Sequence, residues 1–98
     1  MKEILKECTG FDWDDRSSEK NWIKHLVSQR ECEQVFFNIP IVITHDEKHS
    51  RIESRYFLLG KTDNDRLLLI VFTVRETLIR IISARDMSKR ERSIYEKE

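Results

Sequence analysis

The chain has 98 residues, 37% charged and 39% apolar, and its 18 Lys and Arg balance 18 Asp and Glu. That length suits one small domain over residues 1–98, and the interspersed apolar runs exclude a disordered composition. A zero formal charge excludes a bulk positive field that draws in nucleic acid from a distance, but not a local basic cluster.

Cys8 and Cys32 are the only cysteines, and the opening MKEILKECTG is too charged for a secretory apolar core. No apolar run approaches the roughly 20 residues needed to cross a bilayer. These features predict a cytoplasmic protein with reduced thiols and no membrane partner.

Asp14 is a candidate N-cap for a helix over residues 15–25, with Trp22, Ile23 and Leu26 as its apolar stripe. Ser28 and Glu31 then stand at capping-box spacing. They open a second helix to about Phe37, with Cys32, Val35 and Phe36 on one face. Pro40 cannot continue it. A short strand is expected at 41–44, a polar connection at 45–50, and a strand at 51–60 that enters the core at Tyr56-Phe57-Leu58-Leu59. The Asp/Asn-rich 61–65 is a turn. Residues 66–74 form the most apolar run and read as a central strand, paired as a hairpin with 78–84. Ser88 and Glu91 form a second capping box, opening a helix to about Tyr95. The fold class is therefore α+β: two N-terminal helices, a four-stranded mainly antiparallel sheet and a C-terminal helix, with the helices covering one face.

Side-chain parity assigns the charged strand residues. With an even-numbered loop after Val74, Thr73 and Arg75 share a face with Arg80, and a five-residue turn at 61–65 adds Glu53 and Arg55. Phe72, Val74, Ile79 and Ile81 fall on the other, core face. A bulge would reverse part of this pattern. On parity alone two readings stand. Arg80 either pairs with Glu53 across an ordinary polar face, or joins Arg55 and Thr73 as an anion-binding surface. Trp13 and Trp22 read as packing residues. No metal site is expected: His25, His45 and His49 fall in different segments, and the His45/His49 pair lacks a third ligand. There is no glycine-rich phosphate loop, so no cofactor is expected either. The helical pattern buries Cys32, which argues against a Cys–His nucleophile.

Taken together, Phe11-Asp12-Trp13-Asp14, Asn21 with Lys24-His25, Val27-Ser28 with Glu31, Glu53-x-Arg55, Gly60, the "LLIVFTVR" strand ending at Arg75, "RIISAR" over 80–85, Ser88-Lys89-Arg90-Glu91-Arg92 and Tyr95 carry a resemblance. In order and spacing the chain resembles the BrnT family, toxins of bacterial type II toxin–antitoxin pairs. Three positions depart from the family pattern. Leu26 stands in place of a usual glycine, residues 38–40 lack an acidic residue common before the proline, and Asp86 replaces a common basic residue.

The resemblance implies a RelE-like fold and a ribonuclease that halts translation. It also implies a BrnA-like ribbon-helix-helix antitoxin, whose complex with the toxin binds operator DNA. Cleaving RNA without metal needs a base for the 2′-hydroxyl, an acid for the leaving oxygen, and cations for the phosphorane. Arg80 and Arg55 suit the last role, with Thr73 as a hydrogen-bond donor beside them. Histidine exchanges protons near neutrality, so His25 is the preferred acid or base. Lys24, Arg75 and Arg85 are expected RNA contacts, and Ile94 and Tyr95 on the last helix are expected antitoxin contacts. The rival reading is a non-catalytic module that binds nucleic acid or an acidic protein through the arginine-rich sheet face.

Overall fold

Three segments with strong end signals form the helices. The computed structural model describes residues 2–49 and 52–98. Helix α1 spans Asp15–His25, and the Asp14 side chain caps it by accepting from the Arg16 N–H at 2.8 Å. Helix α2 is Gln29–Gln34, opened by the reciprocal Ser28–Glu31 capping box. It ends before the expected Phe37, because the N–H groups of Phe36 and Phe37 turn to carbonyls three residues back and the chain tightens there. Helix α3 is Lys89–Tyr95, again opened by a capping box, Ser88–Glu91.

Among the described residues the sheet has five strands rather than four: β1 Gly10–Asp12, β2 Val42–Asp46, β3 Arg55–Lys61, β4 Leu67–Arg75 and β5 Leu78–Asp86. Their spatial order is β1-β5-β4-β3-β2. β2 to β5 pair antiparallel, and β1 runs parallel to β5. At three residues β1 is too short to show a period of its own. Pairing across the sheet holds it, with the Thr9 N–H on the Thr77 carbonyl at 2.7 Å. β2 runs two residues further than expected, because His45 packs on Tyr56 and Asp46 stands opposite Arg55. The expected start of the third strand, at Arg51, lies outside the described residues; β3 begins at Arg55.

One face carries the main core. Phe72, Leu58, Leu68, Ile70 and Ile81 are buried there with Val27, Cys32, Val35 and Phe36 from the second helix and its flanks. Gly60 permits this approach: a Cβ there would stand 3.2 Å from Val35 Cβ and 3.3 Å from its carbonyl oxygen. Two residues of the expected stripe on α1 are not buried. Trp22 and Leu26 are exposed, and the side chain of Ile23 lies outside the described set. Instead α1 buries Asn21, whose Oδ1 accepts from the Ala84 N–H at 3.1 Å, on the stretch of β5 that β1 does not reach. Trp13 does pack against the core, and its indole N–H donates to Glu33 at 2.8 Å.

The helices do not share one face. α3 lies on the opposite side, where Tyr95 packs with Leu59, Leu69 and Met87 and its hydroxyl donates to the Pro40 carbonyl at 2.7 Å. Tyr95 is only 5% exposed, so its own domain covers it; Ile94, at 44%, is not covered.

Arg66, just before β4, ties the elements together. Its guanidinium donates to both Asp86 oxygens at 2.8 and 3.2 Å, to Glu31 at 3.1 Å, and to the His25 and Leu26 carbonyls at 3.1 and 2.9 Å. The cation thus sits at the C-terminal end of α1, where the helix dipole favours positive charge. Asp86, the departure from the family pattern, is one of its two carboxylate partners. Hydrogen bonding to Arg66 holds the Asp86 carboxyl below its usual range. Burial pushes Glu31 up, but bonds from Ser28 and Arg66 outweigh it and leave this carboxyl low as well.

Two predictions follow from this frame. Leu26 closes α1 in the left-handed region at φ 53°, where glycine carries no Cβ penalty. Because Leu26 is exposed, Leu26→Gly loses little packing and is expected to stabilise the protein by roughly 0.5–1 kcal/mol, net of glycine's entropic cost. A lower midpoint in urea would count against the strain. Arg66→Met is expected to destabilise by about 1–2 kcal/mol, since it strips the partly buried Glu31 carboxylate and His25 carbonyl of a charged donor, while Asp86 is mostly exposed. The pH dependence has a fixed sign. Depressed carboxyls contribute stability that is full above their unfolded value near ~4 and is lost as pH falls through the folded value. Melting temperature should therefore drop below about pH 4 in the parent and drop less steeply in Arg66→Met.

Candidate active site on the open sheet face

Register aligns five polar residues in one row across the whole sheet. Asp12 pairs with Arg80, Arg80 with Thr73, Thr73 with Arg55, and Arg55 with Asp46. Directly opposed residues project to the same face, so the parity argument holds for Arg55, Thr73, Arg75 and Arg80. Phe72, Ile81, Val74 and Ile79 lie on the other face. The bulge falls beyond this row: Val71 pairs with Ser83 and Phe72 with Ile81, which skips Ile82. The skip brings Ser83 and Arg85 onto the face of Arg80 as well. Between the charged row and the cluster under α3 lies a half-open strip of Thr44, Phe57, Val71 and Ser83.

The arginines are held by carboxylates, but not by the expected pairing. Arg80 donates to Asp14 at 3.0 Å and lies 3.5 Å from Asp12. Glu53 instead takes both arms of Arg75, at 3.0 Å each. Arg80 is thus anchored to β1 and to the cap of α1. The Arg16 N–H, and then Arg80, hold Asp14 below its usual range; hydrogen bonds from Arg75 do the same for Glu53. Asp12, Asp14 and Glu53 are all more than a third exposed at the side chain. Such pairs contribute about 0–1 kcal/mol each, so an incoming phosphate can displace them. Thr73 does not face a substrate. It is buried, and its hydroxyl donates to the Ser54 carbonyl at 2.6 Å, fixing the backbone between Glu53 and Arg55.

The other residues singled out by sequence lie elsewhere. α1 runs alongside β5, with Asp14 at Arg80 and His25 close enough to Asp86 to lower its carboxyl. Eleven residues of helix separate these ends, so His25 stands on the order of 16 Å from Arg80 and does not join the row. Lys24, beside it, is exposed. Arg85 is clamped by Glu91 at 2.8 and 2.9 Å near α3. Burial, with Glu31 and Glu33 nearby, pushes the Cys32 thiol up to about 12, so it is no nucleophile. Cys8 is likewise a free thiol.

One feature of the site is absent from the sequence reading. Asp46, buried at 6% exposure, ends β2, and its Oδ2 lies 3.0 Å from Nδ1 of His49. The His49 side chain is 62% exposed. It lines a cleft of about 440 Å³ with Lys48, Ile52, Glu53, Arg55 and Arg75. The spacing Asp46-x-x-His49 was a usable signal, but it lay in a segment read as a polar connection. His45, its expected companion, packs on Tyr56 instead.

Comparisons with known proteins agree with this architecture. A crystal structure of the ribonuclease toxin BrnT from Brucella abortus superposes with a TM-score of 0.62 at 18% identity, over 83% of this chain and 99% of that one. That match shows the shared fold. A search of curated proteins gave no match. The family model described as "Ribonuclease toxin, BrnT, of type II toxin-antitoxin system" matches residues 13–91. With four-fifths of its length matched from Trp13 to Glu91, the chain belongs to the BrnT family of type II toxin–antitoxin ribonuclease toxins.

Proposed function

We propose that the chain is a metal-independent endoribonuclease that halts translation by cutting RNA on its open sheet face. The observation that carries this reading is the row holding Arg55 and Arg80, with Arg75 beside them. Three guanidiniums, each a planar fork suited to phosphate oxygens, meet on this face, and exposed carboxylates hold two of them, Arg75 and Arg80, in pairs that open at little cost. On binding RNA, the phosphate takes the place of Asp12, Asp14 and Glu53, and the arginines stabilise the charge that grows on the phosphorane. Thr73 acts beneath them by fixing the strand that carries Arg55. Lys24, His25 and Arg85, well away from the row, contact a flanking part of the RNA or the antitoxin.

The partner is a BrnA-like antitoxin of ribbon-helix-helix type, through which the pair reaches operator DNA. Ile94, exposed on α3, is the apolar residue it covers; Tyr95 belongs to the toxin's own core. The RelE-like character of the fold belongs to the same reading. A second reading, binding without cleavage, draws on the exposed partners of Arg75 and Arg80, Glu53, Asp12 and Asp14, which an anion can replace reversibly.

The deciding experiment is purified protein with single-stranded RNA in EDTA, beside Arg80→Ala. The expected products end in a 2′,3′-cyclic phosphate or 3′-phosphate. Arg80→Ala is expected to lose on the order of 10²–10³ in rate with only a modest fall in melting point, since its pairs with Asp12 and Asp14 contribute about 0–1 kcal/mol each. Activity that disappears in chelator and returns with a divalent metal would sink the mechanism, and retained RNA affinity without cleavage would favour the binding module. For the partner, Ile94→Asp should weaken antitoxin binding while the free protein stays folded. Unchanged binding in a native gel would move the interface elsewhere.

A further inference from the structure

The cleft at the Asp46 end of the charged row contains an imidazole, the side chain whose ordinary range suits it to take up a proton near neutral pH. Arginines bind and stabilise, but they stay charged and do not exchange protons near neutral pH. Three histidines are open to the role by residue type, and His45 packs on Tyr56 on the core face. His25 stands far from the arginines. His49 shares a cleft with two of them, Arg55 and Arg75.

Its setting is that of an oriented imidazole. Asp46 is buried at the end of β2, directly opposite Arg55 in the register, and faces Nδ1 of His49 at 3.0 Å. With Nδ1 tied to the carboxylate, Nδ1 carries the proton and Nε2 is left as the acceptor on the exposed side of the ring. The carboxylate also stabilises the imidazolium that forms when Nε2 takes a proton. Lys48, Arg55 and Arg75 add positive charge around the cleft and Glu53 adds one negative, so an anionic substrate is favoured there. The volume, about 440 Å³, falls within the range of small-ligand sites. Ile52, fully exposed at its edge, offers an apolar wall to a sugar or base.

We propose that His49, oriented by the buried Asp46, is the general base of RNA cleavage in the Arg55–Arg75 cleft. The inference rests on the ribonuclease reading. In the step, Nε2 of His49 takes the proton of the ribose 2′-hydroxyl as O2′ forms its bond to phosphorus. The bond from phosphorus to O5′ breaks, and the leaving oxygen takes a proton from water. The products are a 2′,3′-cyclic phosphate and a free 5′-hydroxyl, and His49 returns its proton to solvent. Asp46 is a positioning residue: it holds the ring and balances its charge without touching the substrate.

The test uses the full chain and a labelled single-stranded RNA in EDTA, with kcat, KM and melting temperature measured for each variant. His49→Gln is expected to lower kcat on the order of 10²–10³, within the usual reach of general base catalysis, with KM and melting unchanged. His49→Ala is expected to recover part of its loss when free imidazole is added, which no structural role would produce. Asp46→Asn keeps the shape without the charge and is expected to lower kcat with KM unchanged. If that buried change unfolds the chain, the surface His49 variants still decide the matter. An RNA carrying one 2′-deoxy sugar at the cut site should bind and resist cleavage. Cleavage within twofold of the parent by His49→Gln overturns the inference and leaves the ribonuclease reading intact. A raised KM without imidazole rescue also overturns it, since His49 would then only bind phosphate. A parent chain inert towards RNA removes both.

Discussion

The guanidinium of Arg66 is the point from which the rest of the arrangement is hung. It joins the end of α1, the start of α2 and the end of β5, three segments distant in sequence. Among the described side chains, helix α1 places no apolar residue in the core; Trp22 and Leu26 are exposed. Its described ties along β5 are polar: Arg66 at one end, Asn21 on the strand edge, and the Asp14–Arg80 pair at the other end. A helix fixed by hydrogen bonds at three points has a defined direction as well as a position. That direction delivers Asp14 to Arg80 and carries His25 away from it.

Elements with strong end signals were readable from sequence. Asp14, Ser28 and Ser88 announce helix starts that the structure reproduces, because an N-cap acts within a few residues and needs no tertiary partner. The Arg55–Thr73–Arg80 alignment was also legible, since it depends only on strand period and loop length. What escaped depends on distant partners. β1 exists through its pairing with β5, more than sixty residues later. The partner of Arg80 could not be read for the same reason, as Asp12 and Asp14 reach it only once β1 has docked. α3 crosses to the other face because Tyr95, Met87, Leu59 and Leu69 form a second small core, which a period-two pattern with two apolar faces left ambiguous. The Asp46–His49 pair was missed because its segment is polar, and polarity reads as loop when a strand's partner is unknown.

Ion pairs gather at both ends of β5. At one end Arg66 and Arg85 join Glu31, Asp86 and Glu91; at the other Arg80 joins Asp12 and Asp14. Burial does not separate the two groups, since Arg66 and Arg80 are about equally covered and Asp86 is more exposed than Asp12 or Asp14. What differs is the kind of partner. Arg66 also serves two backbone carbonyls, which would be left without a charged donor if it turned away, whereas Arg80 and Arg75 are held by side-chain carboxylates.

The row takes residues from every strand, from Asp12 in β1 to Arg80 in β5. This bears on synthesis. A chain emerging from the ribosome presents β1 first, with its only strand partner still unmade, and the central pairing of β4 with β5 comes last. Sheets of this kind cannot close before their late strands arrive. The arginine face therefore assembles only once β5 is free to pair, and an unfinished copy carries Arg55 and Arg75 without the strand that completes the row.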